Sequence, residues 1–282
     1  MADTMSPIIR ASELLKIYKK ENLVLVDASN NPRAAYEKQH LDEALFVDVN
    51  TDLADIKEDL SKGGRHPLPD LKDFSETLAK LGISRDSHVV VYDDKNGANA
   101  AARFWWMLRS VGHKKVQVLD GGFQAAEQAG FPINANLVIP KKPGNYLAER
   151  WELPLADMNE VEKVSQDENQ LVIDVREAAR YLGEMEPIDL IPGHIPGAIN
   201  VPLASNLNLN GLFLSPVELR KKYRELLAEY ENEDIIVHCG SGVSACHTLL
   251  AIDYAGLEIP KLYVGSWSEW SRNDKEIATR NR

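Results

Sequence analysis

The sequence predicts an α/β protein built from two similar domains, each a mainly parallel sheet flanked by helices. Three observations lead to this prediction. Short apolar strands alternate with helical segments, the alternation occurs twice in the same order, and a segment rich in proline and charge separates the two copies. With 282 residues, 44% of them hydrophobic, the chain has the length for about two domains of roughly 100–200 residues each.

Apolar strands and helices alternate through the first half of the chain. The runs LVLVDA (23–28) and HVVVYD (88–93) are apolar and rich in valine, which predicts strands. The helix predicted after the second run is apolar on one face and ends at Gly112, a residue suited to the turn that closes a helix. A third strand, turn and helix follow in KVQVLDGGFQAAEQAG (115–130). Apolar strands joined by helices favour a parallel sheet covered on both faces.

The second half repeats this order. LVIDVREAARY (171–181) corresponds to the first strand and its helix, residues 233–256 correspond to the second strand and helix, and KLYVGSWSEW (261–270) corresponds to the third. Three correspondences in one order predict a duplicated domain.

A proline- and charge-rich stretch, PKKPGNYLAERWELPLA (140–156), has the composition of a linker. The predicted division is an N-terminal domain at 1–140, a linker at 141–156 and a C-terminal domain at 157–282. The site of a duplicated fold with one reactive copy is expected, by analogy, in the cleft between the domains.

Net charge and cysteine content limit the partners and the kinds of site that this chain can have. The net charge of −11 disfavours nucleic acid and anionic membrane surfaces as partners, but local amides or one arginine can still bind a small anion. The start MADTMSPIIR has no apolar core of secretory length, and no run approaches the roughly 18 apolar residues of a membrane span. The two cysteines, Cys239 and Cys246, are too few for a disulfide framework or a metal site. A cytoplasmic, monomeric protein without a cofactor is expected.

Cys239 is the candidate nucleophile. It stands where the strand of the second domain ends and a helix follows, whereas the first domain has Asp93–Asp94 at that place. Gly240 and Gly242 allow the backbone to fold around the sulfur. Only the second domain therefore has a reactive group at this position, and Cys246 is expected to face the core.

The loop after Cys239 predicts a site that stabilises an anion. A helix beginning near Gly242 or Val243 would direct its unpaired amides at the thiol, and Ser241 and Ser244 add hydroxyl groups. A helix terminus contributes about 0.3–1 kcal/mol to a nearby negative charge, up to ~2 in good geometry. Each amide bond to a charged acceptor adds about 1.5–3 kcal/mol. Together they are large enough to favour a thiolate.

Two other kinds of site share part of this pattern. Gly240, Gly242 and Ala245 match the glycine fingerprint of dinucleotide-binding folds, with Glu258 downstream. Only about forty residues follow, however, and that reading leaves Cys239 unexplained. A cysteine phosphatase needs an arginine six residues after the nucleophile to bind phosphate, and Ala245 stands there.

Several motifs together resemble the tandem-domain sulfurtransferases of the rhodanese superfamily, over nearly the full chain. They are CGSGVSA (239–245), GHIPGAINVP (193–202), YVGSWSEW (263–270), and ARFWWMLRSVGH (102–113) with LDGGF (119–123). The CGSGV loop is similar to that of 3-mercaptopyruvate sulfurtransferases. Thiosulfate-preferring rhodaneses usually carry arginine and lysine where this chain has Gly240 and Ser241.

The resemblance implies a double-displacement reaction. The Cys239 thiolate would take sulfur from 3-mercaptopyruvate, hold it as a persulfide and pass it to a thiol such as thioredoxin, or to cyanide. No cofactor is implied. Two alternatives stay open: thiosulfate as the donor, and a non-catalytic sulfur-carrier or interaction module.

The resemblance also implies roles for residues outside the loop. Arg180 matches the family's substrate-binding arginine, and Arg176 is expected to brace the domain interface. The 3-mercaptopyruvate enzymes often have a second arginine before GHIPG, and EMEPIDLIP (184–192) has none. Donor contacts are assigned to Arg180 and to the loop at Gly240, Gly242, Val243 and Ser244.

A second implied group is a relay of acid, histidine and serine. His66, in GGRHPLP (63–69), matches the histidine and Ser241 matches the serine. The position of the acid holds Asn50, with Asp48 and Asp52 nearby. His194 is expected to fix a strand entry by hydrogen bonding. Three tryptophans are assigned to the core: Trp105, Trp106 and Trp267.

Overall fold

The computed structural model describes residues 5–29 and 33–280, which form two compact units. The first contains the described residues up to Ala54 together with Pro69–Glu152 and Leu209–Phe213. The second contains Asp55–Leu68, Leu153–Asn208 and the described residues from Leu214 onward. The sequence-based boundaries assign Asp55–Leu68 to the N-terminal domain and Leu209–Phe213 to the C-terminal domain, so each unit also includes one short segment from the other half of the chain.

The first unit is a five-stranded parallel sheet with helices around it and a small antiparallel pair, β3 with β7. The strand order is β1-β6-β5-β2-β4. Its elements are β1 (Ile8–Ile9), α1 (Ala11–Ile17), β2 (Leu23–Asp27), α2 (Arg33–Tyr36), β3 (His40–Leu41), β4 (Ala44–Phe46), α3 (Leu71–Lys80), β5 (His88–Tyr92), α4 (Ala100–Ser110), β6 (Val116–Leu119), α5 (Gly122–Gln128) and β7 (Ile133–Asn134).

The second unit is also a five-stranded parallel sheet, in the order β10-β9-β11-β12-β8. Its elements are β8 (Leu155–Ala156), α6 (Met158–Val164), β9 (Leu171–Asp174), α7 (Ala178–Tyr181), β10 (Ile199–Asn200), α8 (Pro216–Leu226), β11 (Ile235–His238), α9 (Ala245–Tyr254), β12 (Lys261–Tyr263) and α10 (Ser266–Trp270). Read from β8, this order repeats that of the first unit strand for strand. The predicted duplication and the parallel α/β fold are confirmed.

Local sequence explains where several helices begin. The side chain of Asp70 accepts a bond from the amide of Lys72 at the start of α3, and Ser215 with Glu218 forms a reciprocal cap on α8. Such caps satisfy amides that have no partner inside the helix.

Among the described residues, no helix combines the length and the apolar character needed to cross a bilayer.

The core of each unit is apolar side chains between sheet and helices. Trp105, Trp106 and Trp267 are fully buried, as predicted. Helix α4 is buried around almost its whole circumference rather than on one face. One reason is that Trp151, from the end of the first unit, covers it and stacks on Trp106 with ring centroids 6.3 Å apart.

The strand register shows that Asp93 and Cys239 occupy equivalent positions in the two sheets. In the first sheet Asp27 of β2 pairs with Tyr92, the last residue of β5. In the second, Asp174 of β9 pairs with His238, the last residue of β11. The next residue is Asp93 in one unit and Cys239 in the other. Both follow the middle strand at its carboxyl end, the edge at which parallel α/β sheets bind ligands.

Candidate active site

Cys239 lies directly after β11, with 1% of its surface exposed. The chain then turns through Gly242, whose φ is +72°, before α9 begins at Ala245. The helix was predicted to begin near Gly242 or Val243. It starts two or three residues later because the left-handed conformation of Gly242 cannot continue into a right-handed helix.

The start of α10 holds the backbone of this loop. The amides of Trp267 and Ser268 donate to the carbonyl oxygens of Cys239 and Gly240, at 3.0 and 2.8 Å. The amide of Cys239 donates to Oγ of Ser266 at 3.2 Å. With these carbonyls and this amide engaged by α10, the orientation of the first two peptide groups of the loop is fixed.

The first unit shows what the same strand end does with a negative side chain. The buried carboxylate of Asp93 accepts backbone bonds from Lys95, Gly97, Asn99 and Ala101, at 2.8–3.2 Å. Burial raises the pKa of Asp93, and these four bonds oppose that rise. The turn between strand and helix can therefore surround an anion with amides in this fold. A similar cradle at Cys239 stays a prediction.

Residues 55–68 bring two further side chains to the loop within the second unit. The amide of Gly63 donates to Glu269 at 2.7 Å, and the amide of Arg65 donates to Oγ of Ser268 at 3.0 Å. Gly64 has a φ of +77°, and a β-carbon there would lie 2.3 Å from the carbonyl oxygen of Gly265. Glycine is thus required where this segment approaches α10, and the approach positions the next two residues, Arg65 and His66.

His66 and Ser241 are brought together. Nδ1 of His66 lies 2.8 Å from Oγ of Ser241, a distance at which a hydroxyl and an imidazole share a proton. The acidic candidates Asp48, Asn50 and Asp52 belong to the first unit, where the amide of Asn50 donates to Asp48 and the amide of Asp48 donates to Asp52. Their predicted role in the relay remains a prediction.

Two arginines flank Gly240. A β-carbon built on Gly240 would lie 2.9 Å from Nη2 of Arg65 and 3.6 Å from each terminal nitrogen of Arg180. Arg180 was assigned from the sequence to donor binding. Arg65 was missed, although it directly precedes His66 in GGRHPLP. A basic residue next to a candidate site histidine was the available signal.

Both arginines are ion-paired to the segment 184–192. Arg180 makes bonds of 2.7–3.1 Å to Glu186 and one of 3.1 Å to Asp189. Arg65 pairs with Asp189 at 3.0 and 3.3 Å, and Arg272 reaches the same carboxylate at 3.3 Å. Burial raises the pKa of Glu186, but the bonds from Arg180 and from the loop amides leave it below its usual value.

Arg176 extends this network into the interior of the second unit, and its expected role at the domain interface stays a prediction. Its buried guanidinium contacts Asp174 at 2.6 Å, Glu186 at 3.3 Å and the carbonyl of Gly193 at 2.7 Å, and it lies over the ring of Trp267. All of these partners belong to the second unit. We call the connected side chains the arginine cluster: Arg65, Arg176, Arg180, Arg272, Asp174, Glu186 and Asp189.

Comparison with known proteins identifies the family. A model of the rhodanese-like domain matches residues 10–129 and again 157–273. The chain belongs to the rhodanese-like domain family.

Relatives of this rhodanese-like chain carry two names. A Pseudomonas aeruginosa protein named "Probable 3-mercaptopyruvate sulfurtransferase" is 38% identical over 87% of this chain and 86% of its own length. The thiosulfate sulfurtransferase of Rattus norvegicus is 35% identical over 85% of this chain and 80% of its own length. Among solved structures, the 3-mercaptopyruvate sulfurtransferase of Leishmania major matches with a TM-score of 0.80 and 28% identity, over 94% of this chain and 74% of that one.

The remaining predicted site residues of this rhodanese-like chain lie in or beside the loop. Gly240, Gly242 and Val243 are buried, and Ser244 is partly exposed just before α9. Cys246 is fully buried in the first turn of α9, where its Sγ donates to the carbonyl of Gly242 at 3.4 Å. His194 bonds through Nδ1 to the carbonyl of Tyr181 at 2.7 Å and pairs by backbone with Ala278, in keeping with its assignment to structure.

Away from the Cys239 loop, a metal-binding group and a cavity are the other kinds of site to consider among the described residues. Within the described residues, no three His, Cys, Asp or Glu side chains are grouped so that they could hold a metal ion. A cavity of about 670 Å³ lies in the first unit beside β2 and residues 134–142. Some charged groups on its wall are paired with each other, as in Lys141 with Glu43 at 2.6 Å. The Cys239 loop is therefore the candidate active site.

Gly242 should tolerate alanine less well than Gly240. Alanine at 242 would be held at positive φ with its β-carbon 2.4 Å from the carbonyl oxygen of Val264, whereas the atoms nearest to a β-carbon at 240 are the ends of two arginine side chains. We expect Gly242→Ala to lower the free energy of unfolding by at least about 1–3 kcal/mol and Gly240→Ala to lower it by less. Chemical denaturation measures both. Equal losses would contradict the backbone requirement at 242.

Proposed function

We propose that this protein is a sulfurtransferase that carries sulfur on Cys239 and takes it from 3-mercaptopyruvate. The observation that carries the proposal is one constellation within the second unit. A cysteine at the carboxyl end of the middle strand adjoins a serine bonded to a histidine at 2.8 Å, and two arginine guanidiniums lie beside the next residue. The set provides a nucleophile, a proton-transfer pair and an anion-binding group, which are the parts this reaction needs.

The first half-reaction loads the cysteine. The Cys239 thiolate attacks the sulfur of 3-mercaptopyruvate, an S–S bond forms, the C–S bond breaks, and its electron pair leaves with the enolate of pyruvate. The enolate takes up a proton and pyruvate departs. In the second half-reaction an acceptor thiolate attacks the outer sulfur and regenerates the Cys239 thiolate. Neither step needs a metal or an organic cofactor.

The arginine pair is suited to the carboxylate of the donor. The side chain of Arg180 is 12% exposed and that of Arg65 is 22% exposed, so a small ligand can reach part of each side chain. A guanidinium has five N–H donors, and bidentate pairing with a carboxylate is its strongest interaction. Asp189 and Glu186 hold the two arginines in place while edges remain for the donor.

Ser241 and His66 are suited to the proton. The hydroxyl of Ser241 is two residues from the nucleophile, and Nδ1 of His66 accepts from it or donates to it according to the tautomer. A protonated pair delivers a proton to the leaving enolate, which lowers the barrier to C–S cleavage. The serine thus transfers the proton and the histidine supplies it.

The acceptor and the cellular setting follow from the same chemistry. A persulfide is reactive toward thiolates, so we propose a thiol such as thioredoxin as the acceptor, with cyanide as an artificial one. A free reactive cysteine is maintained in a reducing compartment, which supports the proposed cytoplasmic location.

Cys239→Ser should abolish sulfur transfer, whereas Cys246→Ser should largely retain it. Cys239 heads the loop, while Cys246 is packed in α9 with its Sγ on the Gly242 carbonyl. Incubation with 3-mercaptopyruvate followed by intact mass measurement should show one added sulfur on the wild-type and Cys246→Ser proteins only. Comparable loss in both variants, with folding intact, would give Cys246 a part in the reaction. A loaded protein that does not turn over with any thiol would favour the carrier module.

Arg180→Ala should impair the loading half-reaction by about thirty- to a hundredfold. The reason is loss of a charge-assisted contact of roughly 2–3 kcal/mol to the donor carboxylate. Single-turnover loading measures it, and Arg224→Ala, an exposed arginine on α8 of the same unit, is the matched control. An unchanged loading rate in Arg180→Ala would return this arginine to a purely structural role.

Thiosulfate is the second candidate donor, and one observation favours it. Arg65 beside Gly240 adds a cation at a place where the sequence offered only Arg180, and a relative named thiosulfate sulfurtransferase is 35% identical.

We expect 3-mercaptopyruvate to be the better donor, since Gly240 and Ser241 add no charge beside the sulfur. The ratio of kcat/KM for the two donors measures this, with cyanide as a common acceptor. A higher value for thiosulfate would reverse the order of the two proposals.

A further inference from the structure

Asp189 is the acidic centre of the arginine cluster. Its side chain is fully buried and accepts bonds from Arg65, Arg180 and Arg272 at 3.0–3.3 Å. Two of these three arginines are the ones beside Gly240. A single carboxylate therefore faces both guanidiniums that the proposed donor site uses.

The segment 184–192 is built to keep that carboxylate inward. Oε1 of Glu186 accepts the amides of Ile188 and Asp189 at 3.1 and 3.0 Å. Nε1 of Trp267 donates to the carbonyl of Ile191 at 2.9 Å. The apolar side chains of Ile188 and Leu190 point outward, 54% and 65% exposed. The side chains of Glu186 and Asp189 thus lie in the interior, while Ile188 and Leu190 lie at the surface.

The charges of the cluster nearly cancel. Four arginines face three carboxylates, Asp174, Glu186 and Asp189, which leaves one net positive charge. His238, which contacts Asp174 at 3.8 Å, adds none when neutral, and burial lowers its pKa. A donor with one carboxylate brings one negative charge to this nearly neutral site, whereas a dianion such as thiosulfate brings a second negative charge toward Asp189.

We propose that Asp189 selects the donor by charge: it reduces the positive charge of the arginine pair to a level that suits a monoanionic carboxylate and disfavours a dianion. This rests on the proposed sulfurtransferase function and on donor binding at Arg65 and Arg180. Asp189 does not touch the donor in this proposal. It acts on specificity through the two guanidiniums.

The sign of the effect follows from Coulomb's law. Removing the charge of Asp189 relieves repulsion from each negative charge on the donor, so a dianion gains about twice as much as a monoanion. The dianion's extra gain is the repulsion between Asp189 and one additional unit charge on the donor, with a guanidinium between them. At a partly screened site this corresponds to roughly a tenfold change in rate. A residue that only stabilised the fold would change both donors in parallel.

The test is Asp189→Asn, which keeps the shape and one acceptor oxygen. We expect kcat/KM for thiosulfate, divided by that for 3-mercaptopyruvate, to rise about tenfold with cyanide as the acceptor. Glu160→Gln is the matched control. It also removes one carboxylate charge from the second unit, but Glu160 pairs with Lys261 at the first residue of β12, the sheet edge opposite the Cys239 loop. Its donor ratio should equal that of the wild type.

A folded Asp189→Asn protein with an unchanged donor ratio, or with equal losses for both donors, would overturn the proposal. Glu186→Gln decides the matter if Asp189→Asn does not fold, since it removes one charge from the same cluster and keeps the acceptor oxygen used by the loop amides. It should raise the ratio too, and an unmoved ratio there counts against the proposal. Failure of the wild type to transfer sulfur from either donor would instead refute the proposed function.

Discussion

The turn between the end of the middle strand and the helix that follows it sets a constraint that both units share, because the backbone amides of this turn need partners. In a parallel sheet this end faces a turn and the start of a helix, where amides lack partners within regular structure. The first unit satisfies those amides with the carboxylate of Asp93, which accepts four of them. The second unit places Cys239 at the equivalent position. The carboxyl group of Asp93 closes the turn in the first unit, and the proposed function leaves the turn of the second unit for a sulfur anion that forms during the reaction.

The second unit gathers several polar and charged side chains beside Cys239. Residues 55–68 pack on α10 through Gly63, Gly64 and Arg65, and this places His66 at Ser241. The buried carboxylate of Asp189 forms ion pairs with three arginines. Buried charges are stable only when paired and hydrogen-bonded. Asp189 therefore helps to fix the positions of Arg65 and Arg180.

The fold was predictable because its signals are local and occur twice. Apolar strands, helix periodicity and the repeated order gave both sheets, and the strand end at Cys239 followed from them. The later start of α9 was missed because it depends on the backbone conformation of Gly242, which composition does not specify. The attachment of Asp55–Leu68 to the second unit was also missed, since it depends on contacts such as Gly63 with Glu269, 206 residues apart. For the same reason the pairing of Arg65 with Asp189, 124 residues apart, left no local trace in the sequence.

The electrostatic potential at this site is set mainly by charges that lie close to it. The chain carries a net charge of −11, which would suggest a poor receptor for anionic donors. Charges in solvent are screened over about 8 Å at physiological salt, whereas buried pairs are screened much less. The fully buried carboxylates of Asp174 and Asp189 and the guanidinium of Arg176 therefore outweigh the acidic surface in setting the potential beside Gly240. A single charge-changing substitution inside the cluster is expected to change that potential more than several such substitutions on the surface. We therefore expect the donor preference of this protein to depend on buried ion pairs as well as on the residues of the loop itself.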